Sequence, residues 1–207
     1  MEPAITGVLF DVGGVLVSLN GMPALSTWMK LEGQDETIHR AWMAAPSVIA
    51  HETGKIDAEE FATGLVRELG LPVSPDAFLR EFLRWPQGPL PGALDLLGEL
   101  PAGVRRAALS NTSAAHWERI AALGVAEPFE QIYLSHEIGH LKPTPEAFEI
   151  ALAGMGLAPG EVLFLDDGWQ NVRAAREMGL RAEQVNGPAD ARLALVKHGV
   201  LPNGPAH

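Results

Sequence analysis

Two short apolar runs in this chain lead directly into aspartate: Val8-Leu9-Phe10 into Asp11, and Val162-Leu163-Phe164-Leu165 into Asp166-Asp167. An unbroken apolar run bounded by a turn signal reads as a strand buried on both faces, as in parallel sheets covered by helices. Glycines supply the turn signal in both cases, Gly13-Gly14 after the first run and Gly168 after the second. Carboxylates at the ends of such strands are costly to bring together unless something positive neutralises them.

The rest of the pattern assigns these strands to an architecture. The first strand is predicted at 5–10, followed by Val15-Leu16-Val17 as a short extended flap. From about Met22 to Trp85 the spacing is helical, with Leu25, Trp28, Met29 and Leu31 on one periodic face. Asp57 followed by Glu60 is a capping box, and Ser74-Pro75 opens another helix. Pro86 to Gly92 reads as a connector. Beyond it, helices at 93–100, 114–123, 145–155, 170–178 and 190–198 alternate with strands at 104–109, 131–134, 162–165 and 181–185. Alternation of this kind implies βαβ units and a doubly wound parallel sheet. The expected architecture is an α/β core of residues 1–17 and 88–207, interrupted after its first strand by a small all-helical cap, 18–87.

Composition removes several function classes. The formal net charge of −11 disfavours binding to nucleic acid or to an anionic membrane surface. The absence of cysteine rules out disulfides, thiolate chemistry and Cys-ligated metal centres. There is no basic leader, and no apolar run approaches the roughly 20 residues that span a bilayer. A soluble cytoplasmic protein is expected, and no feature of the sequence marks an oligomeric interface.

Three predicted strands end in polar groups: Asp11, Ser110-Asn111 and Asp166-Asp167. In a parallel sheet these ends share one edge, where open α/β sheets place their ligands. Alone, Asp166-Asp167 would read as a helix-capping pair; with Asp11 at another strand end, it favours a hard divalent cation such as Mg²⁺. Ser110-Asn111 suits either N-capping or holding a phosphoryl oxygen. Lys142, on a loop fixed by Pro143 and Pro145, suits neutralisation of developing phosphate charge.

Together these pieces resemble the haloacid dehalogenase-like hydrolase superfamily. The motifs stand here as Asp11-Val12-Gly13-Gly14-Val15, Leu109-Ser110-Asn111, Lys142-Pro143-Thr144-Pro145 and Asp166-Asp167-Gly168-Trp169-Gln170-Asn171. The helical stretch after the first motif matches the family's C1-type cap. Within the family the chain looks most like bacterial sugar phosphatases of the α-glucose-1-phosphate phosphatase type, which share the first-motif glycine and a Glu-x-Gly-x-Ile segment, here Glu52 to Ile56. The resemblance implies a Mg²⁺-dependent phosphatase acting on a phosphorylated small molecule. Asp11 would be the nucleophile, taking the phosphoryl group as an aspartyl-phosphate. Asp11, Asp167 and the Gly13 carbonyl would hold the metal, with Asp166 in or behind that shell. Ser110, Asn111 and Lys142 would bind the phosphoryl oxygens, and Asn171 would orient the acidic pair. Trp169 and Glu52 are candidates for the substrate pocket.

One position departs from the family. Where its phosphatases carry a second Asp as general acid/base, this chain has Gly13. General acid–base help is worth about 10²–10⁴-fold. The loss implies a preference for leaving groups that need little protonation, a substitute such as Glu52 or His51, or a degenerate site. The alternatives to a phosphatase are a metal-independent haloacid dehalogenase and a binding or regulatory module that kept the fold. His140 is expected to be solvated, and Trp28, Trp42, Trp85 and Trp117 to pack in cores.

Overall fold

The computed structural model describes residues 3–202. Met1, Glu2 and residues 203–207 lie outside this range. In chain order the first elements are β1 (Gly7–Phe10), β2 (Val17–Leu19), α1 (Met22–Met29), α2 (Asp35–Ala44), α3 (Pro46–Glu52), α4 (Ala58–Glu68) and α5 (Pro75–Phe82). Next come β3 (Pro86–Pro89), α6 (Ala93–Glu99), β4 (Arg105–Ser110), α7 (Ala114–Ala121), β5 (Gln131–Leu134) and α8 (Ser135–Ile138). The chain closes with α9 (Pro145–Met155), β6 (Val162–Asp166), α10 (Trp169–Glu177), β7 (Arg181–Gln184) and α11 (Gly187–Lys197).

Five strands form one parallel sheet in the order β5-β4-β1-β6-β7. Their apolar runs are continuous because both faces are covered. Val8, Phe10, Leu163 and Leu165 pack on one side with Leu97 and Leu195 from α6 and α11. Leu9, Val162 and Phe164 pack on the other with Phe148 and Val172 from α9 and α10. Phe148 meets Phe164 edge-on, ring centroids 5.3 Å apart. Each such side chain, fully buried, contributes roughly 1.5–3 kcal/mol. The chain winds outward from β1 through β4 to β5, then returns to β6 on the other side of β1. That reversal places the sheet's switch point at the carboxyl end of β1, next to Asp11.

Helices α1–α5 bury a separate cluster that includes Leu25, Ile38, Phe61, Leu65, Phe78 and Phe82. Phe82 is central to it, 4.9 Å from Phe61 and 5.1 Å from Trp85 between ring centroids. From the core, the His116 ring of α7 stacks on Phe82 at 3.9 Å, and its Nε2 lies 2.7 Å from the Phe82 carbonyl oxygen. This stack is one of the contacts that tie the α1–α5 cluster to the sheet-bearing part of the chain.

Several local expectations differ from what is observed. The extended flap lies at Val17–Leu19 and pairs antiparallel with Pro86–Pro89, which reads in sequence as a connector. Two prolines lack the N–H groups of a regular ladder and hide this strand. Helix α3 follows α2 with only Ala45 between them, in extended conformation, and Pro46 starts the new helix. Of the two roles open to Ser110-Asn111, N-capping of α7 is taken by Ser113, whose hydroxyl accepts from the His116 N–H at 3.4 Å. Nor do Asp166 and Asp167 cap α10, which begins after Gly168.

The capping box of α4 is complete. Asp57 accepts from the Glu59 and Glu60 N–H groups at 2.9 and 2.8 Å, and Glu60 accepts from the Asp57 N–H. Asp57→Ala should cost about 1 kcal/mol. In a chain of this size that lowers Tm by roughly 2–4 °C, read by thermal denaturation.

Candidate active site

The register of β1 and β6 creates the site. Phe10 pairs with Leu165, so Asp11 and Asp166 emerge side by side where the strands end. The Asp11 N–H donates to the Leu165 carbonyl at 2.8 Å, extending the ladder to the carboxylate. Lys142 meets both acids, its Nζ lying 2.8 Å from Asp11 Oδ1 and 2.7 Å from Asp166 Oδ2. The Lys142 side chain is only 1% exposed, so its ammonium is held by these acids in place of water.

Asn111 fixes the lysine's backbone. Its side-chain amide donates to the Lys142 carbonyl at 2.9 Å and its Oδ1 accepts from the Lys142 N–H at 2.8 Å. This pair of bonds ties the Lys142 loop to the end of β4. Ser110 lies buried beside it on the cavity wall. Asn171 donates to Asp166 Oδ1 at 2.9 Å, and the Gly168 N–H donates to the same oxygen at 2.8 Å. Asp166 is therefore fully engaged, with Lys142 on one oxygen and two N–H donors on the other.

Oxygens of Asp11, Asp166 and Asp167 lie within 4.8 Å of one another. One ammonium faces three carboxylates, and burial adds to the cost of ionising them. Burial pushes Asp11 up to about 7 against the opposing pull of Lys142, with the Asp166 and Asp167 charges adding to the rise. Desolvation, then the neighbouring Asp166, also raises Asp167. Hard oxygen donors carrying excess negative charge fit Mg²⁺, and since both Asp166 oxygens already accept hydrogen bonds, Asp11 and Asp167 are better placed to hold it. Gly14 makes room for this: its φ of 72° is left-handed, and a Cβ there would collide with Asp167 Oδ2. Gly13 has no such backbone constraint; a Cβ there would meet the Leu19 Cδ1 at 2.7 Å.

A cavity of about 640 Å³ opens over these groups. The core wall includes Asp11, Ser110, Asn111, Lys142, Asp167 and Trp169, and the insertion adds Leu19, His39, Trp42, Glu52 and Trp85. Trp169 stands at the surface, 52% exposed, with the Arg176 guanidinium 5.5 Å from its ring. Glu52 reaches the cavity; His51 does not. His51 is buried against Phe61 with its rings 4.4 Å apart, and Nδ1 lies 3.2 Å from the Ile56 carbonyl oxygen, which removes it as a substitute acid. Trp42 and Trp85 line the cavity as well as packing in the cluster, a correction to their purely structural reading. His140 is exposed and off the cavity wall. His39 and His116 were not singled out from sequence. Neither an exposed histidine on α2 nor a buried one in the first turn of α7 gives a local signal of facing a site.

The sequence model of the haloacid dehalogenase-like hydrolases matches residues 5–179. The chain belongs to this family. Among haloacid dehalogenase-like relatives, D-ribitol-5-phosphate phosphatase of Bacteroides thetaiotaomicron is 29% identical, the match covering 92% of this chain and 97% of that protein. A HAD-family enzyme of the same organism, solved with magnesium and inorganic phosphate, superposes with TM-score 0.70 at 28% identity, over 87% of this chain and 94% of that one. L-2-haloacid dehalogenase of Xanthobacter autotrophicus gives TM-score 0.62 at 25% identity, over 87% of this chain and 77% of that one. No helix of the described residues is long and apolar enough to cross a membrane.

The charge imbalance makes a prediction independent of turnover. Asp11 has a folded pKa near 7 against 3.8 for the free side chain. Ionising it therefore opposes folding: there is no effect below the free value, the cost grows as pH rises from the free to the folded value, and it is constant above. With chelator present, Asp11→Asn should have a higher Tm than the parent above neutral pH. The gap should shrink as pH falls toward the free value, which parallel thermal melts would read.

Proposed function

We propose that the protein is a Mg²⁺-dependent phosphomonoester hydrolase of small phosphorylated metabolites that works through an aspartyl-phosphate on Asp11. The observation that carries this reading is the juxtaposition of Asp11 and Asp167 around a buried Lys142–Asp166 pair, at the switch point of the sheet. Mg²⁺ held by Asp11 and Asp167 would neutralise charge on the bound phosphoryl group.

Asp11 attacks phosphorus with the oxygen facing the cavity, while its Oδ1 is steadied by Lys142 and the Val12 N–H, the latter at 2.7 Å. Its raised pKa belongs to the cation-free site; a cation on the same carboxylate favours the ionised, nucleophilic form. Lys142 has its own charge reinforced by Asp11 and Asp166 and stays protonated, so it neutralises phosphoryl charge as well. Ser110 lines the cavity with a hydroxyl suited to a phosphoryl oxygen. Asn111 acts differently from the sequence expectation: its side chain holds Lys142, which leaves it to position the lysine.

Support for the substrate class comes from a full-length relative that acts on D-ribitol 5-phosphate and a structural neighbour with bound phosphate. In this reading the helical stretch 18–87 is a cap whose cavity-lining side chains select the substrate. Sugar and polyol phosphates are the first candidates. Among them sugar 1-phosphates fit the missing Asp at position 13, because an anomeric oxygen leaves with less protonation.

A screen of phosphorylated metabolites with Mg²⁺ should find release of inorganic phosphate that is lost on chelation and restored by Mg²⁺. Asp11→Asn should lower kcat by more than about 10³-fold, since it removes the covalent nucleophile. Halide release from 2-haloacids without metal would replace this reading with a dehalogenase. Binding of Mg²⁺ and phosphate with no turnover of any ester would replace it with a binding module.

A further inference from the structure

We propose that Glu52, reaching into the cavity from the end of α3, is the general acid and base of the reaction, replacing the side chain that Gly13 lacks. The assignment rests on the phosphomonoesterase reading and adds to it a residue outside the family's four motifs. Glu52 is the sole carboxylate that the helical insertion contributes to the cavity wall; the insertion's other titratable group there is His39. On the core side, His116 is committed. Its ring stacks on Phe82 with Nε2 at the Phe82 carbonyl, and burial pushes its pKa down to about 4, leaving it neutral.

The position of Glu52 is fixed by its neighbours in sequence. Gly54, at φ 71°, seats the end of α3 on the His136 carbonyl of α8, and a Cβ at this position would collide with that oxygen. The Lys55 N–H closes the helix end on the Ala50 carbonyl at 2.8 Å. The Glu-x-Gly spacing therefore docks this corner of the insertion against the core and turns Glu52 toward Lys142. Among the described residues, no hydrogen-bond donor engages the Glu52 carboxyl.

Such a carboxyl is poised for proton transfer. Burial pushes Glu52 up to about 7, offset in part by Lys142, the one charge that acts on it. Asp57 and Glu60 on α4, and His136 and Glu137 on α8, belong to the elements packed around α3 and exert no resolved effect. Across the cavity it faces Asp11, Asp167, His39 and His116. A catalytic acid works best with a pKa near the working pH.

In the first step the Asp11 oxygen bonds to phosphorus and the ester P–O bond breaks. The electron pair stays on the leaving oxygen, and the Glu52 proton passes to it, giving free alcohol, aspartyl-phosphate and ionised Glu52. In the second, water attacks phosphorus and gives a proton to Glu52. The bond to Asp11 breaks, so that phosphate, ionised Asp11 and protonated Glu52 are restored.

The test compares wild type with Glu52→Gln and His39→Asn on para-nitrophenyl phosphate and glycerol phosphate, in Mg²⁺. Nitrophenolate needs no proton to leave, so Glu52→Gln should keep its rapid first release while slowing the steady state. On glycerol phosphate the first step should fall by about 10²-fold or more, and the pH–rate limb near neutrality should vanish. Should Glu52→Gln fail to fold by circular dichroism, Glu52→Asp carries the same comparison. Isotope-edited infrared titration of the metal-free wild type should place Glu52 well above ordinary glutamate. Equal losses on both esters, an ordinary titration, or a limb that survives Glu52→Gln but not His39→Asn would overturn the assignment alone. No turnover by wild type would overturn the phosphatase reading and this assignment with it.

Discussion

The site depends on one ammonium taken out of water. Lys142 is held between Asp11 and Asp166, and its burial is tolerable because each acid lies within 2.8 Å of it. Everything nearby serves that contact. Asn111 holds the lysine's backbone, Asn171 and Gly168 hold Asp166, and the β1–β6 register brings the acids together. Removing the lysine would leave uncompensated negative charge among the strand ends, which is far costlier than losing a surface ion pair.

The pair also divides labour among the acids. Asp166 has both oxygens occupied, whereas Asp11 and Asp167 retain capacity toward the cavity. Burial first, and then the negative charge of the neighbouring acids, raises both pKa values. A protein that needed only structural carboxylates would have no reason to accept that cost. In the proposed reading, a cation or a phosphoryl group in the cavity would relieve that cost.

Much of this was legible in the sequence, for a physical reason. Buried parallel strands demand continuous apolar runs, so β1 and β6 stand out in the text, and carboxylates directly after such runs are too expensive to be incidental. The alternation of helices and strands fixed the doubly wound order as well. What could not be read were relations set by contact across the fold. The pairing of Val17–Leu19 with a proline-bearing strand, the use of Asn111 on the Lys142 backbone, and the inward turn of His39 and Trp42 leave no mark on local composition. His51 and Glu52 are adjacent and equally polar, yet one lies against Phe61 and the other faces the cavity. Only the helix phase at the end of α3 separates them.

Gly13 and Gly14 read alike on paper but answer to different demands. Gly14 is required by its left-handed backbone and by the close approach of Asp167. Gly13 has an ordinary backbone, and the one obstacle to a side chain there is the tip of Leu19, itself 51% exposed and able to swing aside. A glycine codon ending in a pyrimidine reaches aspartate by a single base change. A carboxylate at position 13 would then ask only that the Leu19 side chain move, with the backbone of this turn left as it is.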